Sequence, residues 1–309
     1  MIYLEQFTFP GAEQEDWFLS EFYKYSHWQQ PYPFKVLSRC DLRSFDMKEI
    51  TILYGGNGSG KSTALNMIGN KLGVRRESAY NRGDLQEEYL ELCSFDSGDY
   101  DSNLFAVDER VQFISSDDIF KYMLDTRVRN DKYDIRSEEL ASAISRIKQG
   151  DFSKEELQIL RYIDFETGKN VNEFQRIANI RKKSKTISQC IRDEIGRKTQ
   201  TYSNGETGFM RFAEFITYDK LYLLDEPENS LSCELQMKLA KFIEQSARHC
   251  GCQFIIATHS PFILSIPGAK IYNLDSNPAS VANWWELPNM QLMYGLFKEY
   301  DNEFSSAIR

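Results

Sequence analysis

The chain has 309 residues with 37 basic and 46 acidic side chains, a formal net charge of −9, 41% hydrophobic residues and 27% charged ones. Such a balance belongs to a folded globular chain with one large core or a core and a smaller lobe, and it argues against wholesale coating of nucleic acid. No apolar run approaches the ~18 residues of a membrane helix, so no direct membrane insertion is expected.

Met1-Ile2-Tyr3-Leu4-Glu5 lacks a basic run followed by an apolar one and does not read as a signal peptide. The six cysteines, Cys40, Cys93, Cys190, Cys233, Cys250 and Cys252, form no two spaced pairs, and His27, His249 and His259 form no metal cluster. Free thiols and a cytoplasmic location are expected. Charge is uneven: ten acids and one base lie between Glu87 and Asp118, eight bases and two acids between Arg176 and Lys198.

In chain order, Ile2–Phe7 is a strand candidate and Tyr32–Leu37 a second extended run beside Pro31 and Pro33. Glu49–Tyr54 is a short apolar strand that ends in glycines. Leu65, Ile68 and Leu72 then fall three and four apart, the buried face of a helix. Arg110–Ile114 is another strand. Residues 118–198 read as mostly helical, with Leu140, Ile144 and Ile147 on one face and a Ser153/Glu156 capping box. Leu221–Leu224 and Phe254–Ala257 have the unbroken apolar character of buried parallel strands, with a helix carrying Leu235, Leu239 and Phe242 between them. Leu292, Met293, Leu296 and Phe297 make an amphipathic helix that covers the core or binds a partner, read first as core packing; Trp284-Trp285 likewise reads first as packing and second as an interface.

Gly55-Gly56-Asn57-Gly58-Ser59-Gly60-Lys61-Ser62 has the spacing G-x-x-x-x-G-K-[ST], followed by Thr63. Its glycines let successive N–H groups turn inward onto phosphate oxygens at a helix start. Lys61 is placed to reach the β- and γ-phosphates and Ser62 to offer its hydroxyl to Mg²⁺. Asp225-Glu226 ends an apolar strand, where an acid holding Mg²⁺ and an acid polarising water belong at the carboxyl edge of a sheet. His259 follows the next strand, able to contact a γ-phosphate or to be a hydrogen-bonded turn residue. Asp117 is either a helix cap or a further group near the metal.

These motifs together resemble the ABC-type ATPase superfamily, nearest its SMC, RecF and DNA-repair-like branch. Gly55–Ser62 resembles the Walker A motif, Leu221–Glu226 Walker B, Glu228–Ser232 the D-loop and Ala257–Pro261 the switch-histidine loop. Tyr202-Ser203-Asn204-Gly205-Glu206 stands where the family has its signature, keeping the serine and one glycine but not the usual glycine pair. Gln112 lies inside the strand, so a Q-loop glutamine has no clear match.

The resemblance implies an α/β P-loop nucleotide-binding ABC-type core with an antiparallel N-terminal β region and an inserted helical lobe. The expected divisions are 1–117, 118–198 and 199–309. It also implies ATP and Mg²⁺ as cofactors and a homodimer closed by ATP, with Lys61, Ser62, Asp225, Glu226 and His259 facing Ser203 and Gly205 of the partner. Tyr32 or Phe34 could stack on adenine or pack in the core. The function so implied is ATP hydrolysis driving a DNA-linked repair or anti-phage defence complex, with DNA and an effector such as a nuclease as candidate partners. A slow ATP switch that scaffolds a protein effector and a transporter motor are the alternatives.

Overall fold

The computed structural model describes residues 2–23, 31–74, 76, 78, 80–98, 110–150, 173–182, 185–195 and 204–307. The chain divides into two compact units, Met1–Phe120 with Ser203–Arg309, and Lys121–Tyr202.

In the first unit, strand β1 (Gln6–Thr8) lies between β2 (Ser44–Asp46) and β4 (Ser94–Asp96) in a three-stranded antiparallel sheet. β1 is shorter than the apolar run predicts. The N–H groups of Tyr3 and Leu4 donate to the buried Gln253 Oε1, at 2.8 and 2.9 Å, rather than to a neighbouring strand. Helix α1 (Ala12–Tyr23) follows β1.

The second sheet has six strands. β5 (Val111–Ser115), β6 (Leu221–Asp225), β7 (Gln253–Ala257), β3 (Ile50–Tyr54) and β8 (Lys270–Asn273) run parallel, and β9 (Ser280–Ala282) closes the edge antiparallel to β8. β3, β6 and β7 are buried at every position, as parallel strands covered on both faces must be. The sequence order β3, β5, β6, β7 becomes the spatial order β5-β6-β7-β3, so β3 and β6, which carry the loop and the acid pair, flank β7. Helix α2 (Lys61–Lys71) buries Leu65 and Ile68 completely, and Leu72 just beyond it is 3% exposed.

Residues 32–37 are turns, not the extended run expected from their prolines and aromatics. The N–H of Phe34 donates to Pro31 O, Lys35 has φ +63°, and its N–H is taken by the buried Glu15 of α1. Phe34 stacks on Phe18 with centroids 5.0 Å apart. Tertiary packing overrides the local preference.

Helix α4 (Ser116–Gln149) comes after α3 (Gln86–Leu92) and leaves β5 without a linker. In the second unit its Leu140, Ile144 and Ile147 cluster with Ile180 of α5 (Glu173–Ile180) and with Cys190 and Ile191 of α6 (Ile187–Ile195). The Ser153/Glu156 capping box lies outside the described residues, as do His27, Lys183, Arg197 and Lys198. Among the described residues, no helix is long and apolar enough to cross a membrane.

The C-terminal expectation is corrected. Past α7 (Asn204–Phe215), α8 (Cys233–His249) and α9 (Pro261–Leu264), the helix α10 (Pro288–Glu299) buries Met290, with Leu287 just before it. Leu292, Met293, Leu296 and Phe297 are exposed, and so is Trp285. The apolar stripe does not pack into this unit's core.

Candidate nucleotide site

β3 delivers the chain to the loop, and the loop is shaped by its glycines. A Cβ on Gly55 would lie 2.4 Å from Ser59 Oγ, because the loop closes on itself there. Gly58 and Gly60 have φ +82° and +97°, the left-handed region that glycine enters freely. A Cβ on Gly60 would also meet Leu37 Cδ2 at 2.8 Å. Asn57 is exposed in the turn, and the buried Ser59 Oγ has no hydrogen-bond partner. Asp275, in the loop after β8, accepts the Gly56 N–H at 2.9 and 3.0 Å and buttresses the loop from outside.

Lys61 opens α2 and is 5% exposed; its Nζ donates to the carbonyls of Gly55 (2.7 Å) and Gly56 (3.0 Å). Next to it, Ser62 Oγ donates to Asp225 Oδ1 at 2.8 Å. The hydroxyl of the loop and the first acid of the pair therefore meet. Burial pushes the Asp225 carboxyl above its ordinary range, against the Ser62 hydrogen bond and the Arg76 charge, which both lower it.

Ser62, Thr63, Asp117, Asp225 and Glu226 line one cavity of about 370 Å³, together with Tyr32. Tyr32 OH donates to Thr63 Oγ1 at 3.3 Å, whereas Phe34 is a core residue. Glu226 has φ +49°, uncommon for a non-glycine residue, and its N–H donates to Ala257 O. Its carboxylate Oε2 accepts from Asn229 Nδ2 at 3.0 Å.

Asp117 is not the helix cap. Ser115 and Asp118 bond reciprocally at the start of α4, through Asp118 Oδ2 with the Ser115 N–H and hydroxyl and through the Asp118 N–H with Ser115 Oγ. Asp117, mostly exposed, pairs with Arg76 at 3.1 Å. Gln112 lies within β5.

His259 lines a different, apolar cavity of about 750 Å³ with Glu228, Phe262 and Trp284. Its ring is half-exposed, with Nδ1 3.6 Å from Glu228 Oε1. Gly205 sits in the first turn of α7, where a Cβ would meet Leu235 Cδ1 at 2.8 Å and Ser230 O at 3.3 Å of its own chain. Ser203 lies outside the described residues.

Two further residues of the site carry no sequence signal that spacing reveals: Arg76 and Asp275. Glu228 and Asn229 are visible only as part of the D-loop-like stretch.

Ser62 and Asp225 offer a hydroxyl and a carboxylate, the hard oxygen donors that Mg²⁺ takes when it also binds substrate phosphates. Among the described residues no group of three or more His, Cys, Asp or Glu forms an all-protein metal cage. A metal shared between protein and phosphates fits this donor set.

A protein-family model described as "AAA domain, putative AbiEii toxin, Type IV TA system" matches residues 100–265. A search of curated proteins found no match. Among solved structures, a nucleotide-free ATP-binding cassette from an ABC transporter is similar at 14% identity, over 86% of this chain and 95% of that one, with a TM-score of 0.40. The Smc head domain of Pyrococcus furiosus bound to the C-terminal domain of ScpA is similar at 14% identity, over 96% and 100%, with a TM-score of 0.39. An inward-facing metal-chelate type ABC transporter is similar at 14% identity, over 80% and 77%, with a TM-score of 0.36. With the family match extending over more than half of its length, the chain belongs to the AAA-domain family so described.

Proposed function

We propose that the chain is a Mg²⁺-dependent ATPase that closes into a homodimer around ATP and drives a DNA-linked repair or defence effector. The observation that carries the reading is the 2.8 Å hydrogen bond from Ser62 to Asp225, which joins the glycine loop to the acid pair. A phosphate held by the loop N–H groups then lies beside both a metal-binding pair and a second carboxylate, Glu226.

Each residue has a physical task in that reading. The loop N–H groups and the start of α2 hold phosphate oxygens. Lys61 exchanges its two carbonyl acceptors for phosphate oxygens and neutralises charge that builds on them. Ser62 and Asp225 would hold Mg²⁺, which supplies further charge neutralisation when bound. Glu226, steadied by Asn229, orients the attacking water and accepts its proton. His259 sits beside the D-loop through Glu228, where contacts from a second copy carrying Ser203 and Gly205 complete the enclosure. The toxin and toxin–antitoxin wording of the family description supports a defence setting with a separate effector. The basic residues Arg181, Lys182 and Arg192 of the second unit are the surface offered to a phosphate backbone.

The test is ATP hydrolysis by wild type and Glu226→Gln, with mass measured with and without ATP. The variant should lose turnover by at least ~100-fold and keep ATP binding and an ATP-dependent dimer. Wild-type turnover in clean variant protein removes Glu226 from its role. Stimulation by duplex or single-stranded DNA supports the DNA-linked task, and indifference to both sinks it.

A further inference from the structure

Arg76 lies in the stretch between α2 and α3 and has no place in the motifs above, yet its side chain is only 8% exposed. Nη1 donates to Asp225 Oδ2 at 3.0 Å and Nη2 to Asp117 Oδ2 at 3.1 Å. Nε donates to Ser78 Oγ at 2.7 Å, and that hydroxyl meets Ser115 Oγ at 3.0 Å. The guanidinium carbon stands 5.4 Å from the centroid of the Phe113 ring. The planar fork is thus oriented by a hydroxyl and a ring, with its charge between Asp225 at the end of β6 and Asp117 in the first turn of α4.

One of those carboxylates, Asp225, is the one placed with Ser62 for a divalent cation. Asp225 has both oxygens engaged, Oδ1 by Ser62 and Oδ2 by Arg76. A dication bound to Asp225 and Ser62 would face a fixed positive charge within a few ångströms, a repulsion worth far more in a buried site than in water. Lys61 does not fill the same role, because its Nζ is turned to the loop carbonyls.

We propose that Arg76 is a built-in counter-cation that holds Asp225 and Asp117 together and has to leave Asp225 when a divalent cation binds, so that it sets the metal affinity of the site. The proposal rests on the ATPase reading of Asp225. It assigns Arg76 as a positioning residue that keeps the acid pair folded and charge-balanced between rounds of metal binding. Lysine cannot reproduce this arrangement, since an ammonium lacks the two-pronged fork that reaches both carboxylates.

The test uses the full chain without nucleotide and Mn²⁺ as the probe, with free Mn²⁺ followed by electron paramagnetic resonance. Arg76→Ala is expected to bind Mn²⁺ about tenfold more tightly than wild type, the scale of losing one adjacent like charge. Arg76→Lys should fall between the two. Asp225→Asn should lose the ion in both the wild-type and the Arg76→Ala background. A merely structural arginine predicts weaker, not tighter, metal binding when it is removed.

Unchanged or weaker Mn²⁺ binding by folded Arg76→Ala overturns the proposal. If Asp225→Asn still loses the ion in that case, the metal role of Asp225 stands and only the part given to Arg76 falls. If Asp225→Asn binds Mn²⁺ like wild type, both fall together. Circular dichroism establishes the fold of each variant, and Arg76→Gln, which removes the charge and keeps most of the volume, is read by the same criteria if the alanine variant does not fold.

Discussion

Glu228 is 5% exposed, and one of its oxygens, Oε1, accepts from Thr258 Oγ1 at 2.6 Å, the His259 N–H at 3.0 Å and the Ser260 N–H at 3.2 Å. Thr258 and Ser260 are themselves buried. A single carboxylate therefore ties the D-loop-like turn to the loop that presents His259. Glu228→Ala takes the acceptor from the Thr258 hydroxyl and the His259 N–H, while the Ser260 N–H keeps Thr258 Oγ1 at 3.0 Å, and the loss of these buried charge-assisted bonds costs about 3 kcal/mol. Glu228→Gln keeps an acceptor oxygen and the volume and should lose less than half as much. Urea denaturation of the two variants checks the order, which fails if alanine and glutamine are equivalent. Because His259 is positioned through its own backbone N–H, the alanine variant should also hydrolyse ATP more slowly at temperatures where it remains folded.

At the scale of elements, the glycine loop is supported through a relay that begins in α1. Glu15 accepts the Lys35 N–H and the Ser38 hydroxyl, each at 2.7 Å, and fixes the turn whose Val36 and Leu37 press against Gly60. Gly60→Ala combines a left-handed φ with a contact at 2.8 Å and should abolish ATP binding measured by calorimetry, with little change in helix content. Burial raises the Glu15 carboxyl above its ordinary value, so the proton is held more tightly folded than unfolded. Its contribution to stability is complete below the unfolded value near 4.5 and is lost as pH rises through the raised folded value. Glu15→Gln should therefore melt a degree or two higher than wild type at pH 8, and the gain should vanish near pH 4. The strand–loop–helix unit behind this relay was legible in the sequence because its spacing is dictated by local geometry: glycines where φ is positive, lysine and serine at the helix start, and a 3.6-residue apolar period after them. Asp225 and His259 were legible for the same reason, since each ends a short strand with unbroken apolar character. Arg76 was not, and Glu228 was visible only as part of the D-loop-like stretch and not as a tie to Thr258 and Ser260, because such partners come together only when distant strands align. The turn at 32–37 has no signature along the chain because Glu15 and Phe18 of α1, which shape it, act across the fold.

At the scale of the whole molecule, a buried amide ties the two sheets of the first unit, beside the hydrogen bonds that Tyr272 OH of β8 makes with the Asp46 N–H and carbonyl of β2. Gln253 opens β7 at zero exposure; its Oε1 accepts the N–H groups of Tyr3 and Leu4, while its Nε2 donates to Leu4 O at 2.8 Å and Lys48 O at 3.2 Å. The segment that leads into β1 is thereby fastened to the start of the parallel sheet, with every hydrogen-bonding atom of the amide in use. Gln253→Leu keeps apolar volume but removes one hydrogen-bond partner from each of four backbone groups, at a cost of about 3–5 kcal/mol after relaxation. That is a large share of the ~5–15 kcal/mol that holds a domain together. Cysteines report the consequence without an added probe. Cys233 is exposed and should react with a thiol reagent at once. Cys93 is buried in the core that both sheets share, and burial pushes its thiol up to about 12, so it should stay protected in the native chain. In Gln253→Leu, Cys93 should become reactive at clearly lower urea than in wild type, while Cys233 reacts at the same rate in both. Equal protection of Cys93 in the two proteins would mean that the N-terminal sheet is held without the amide, by the apolar contacts of Phe7, Phe9 and Phe45 and by the Asp46–Tyr272 hydrogen bonds.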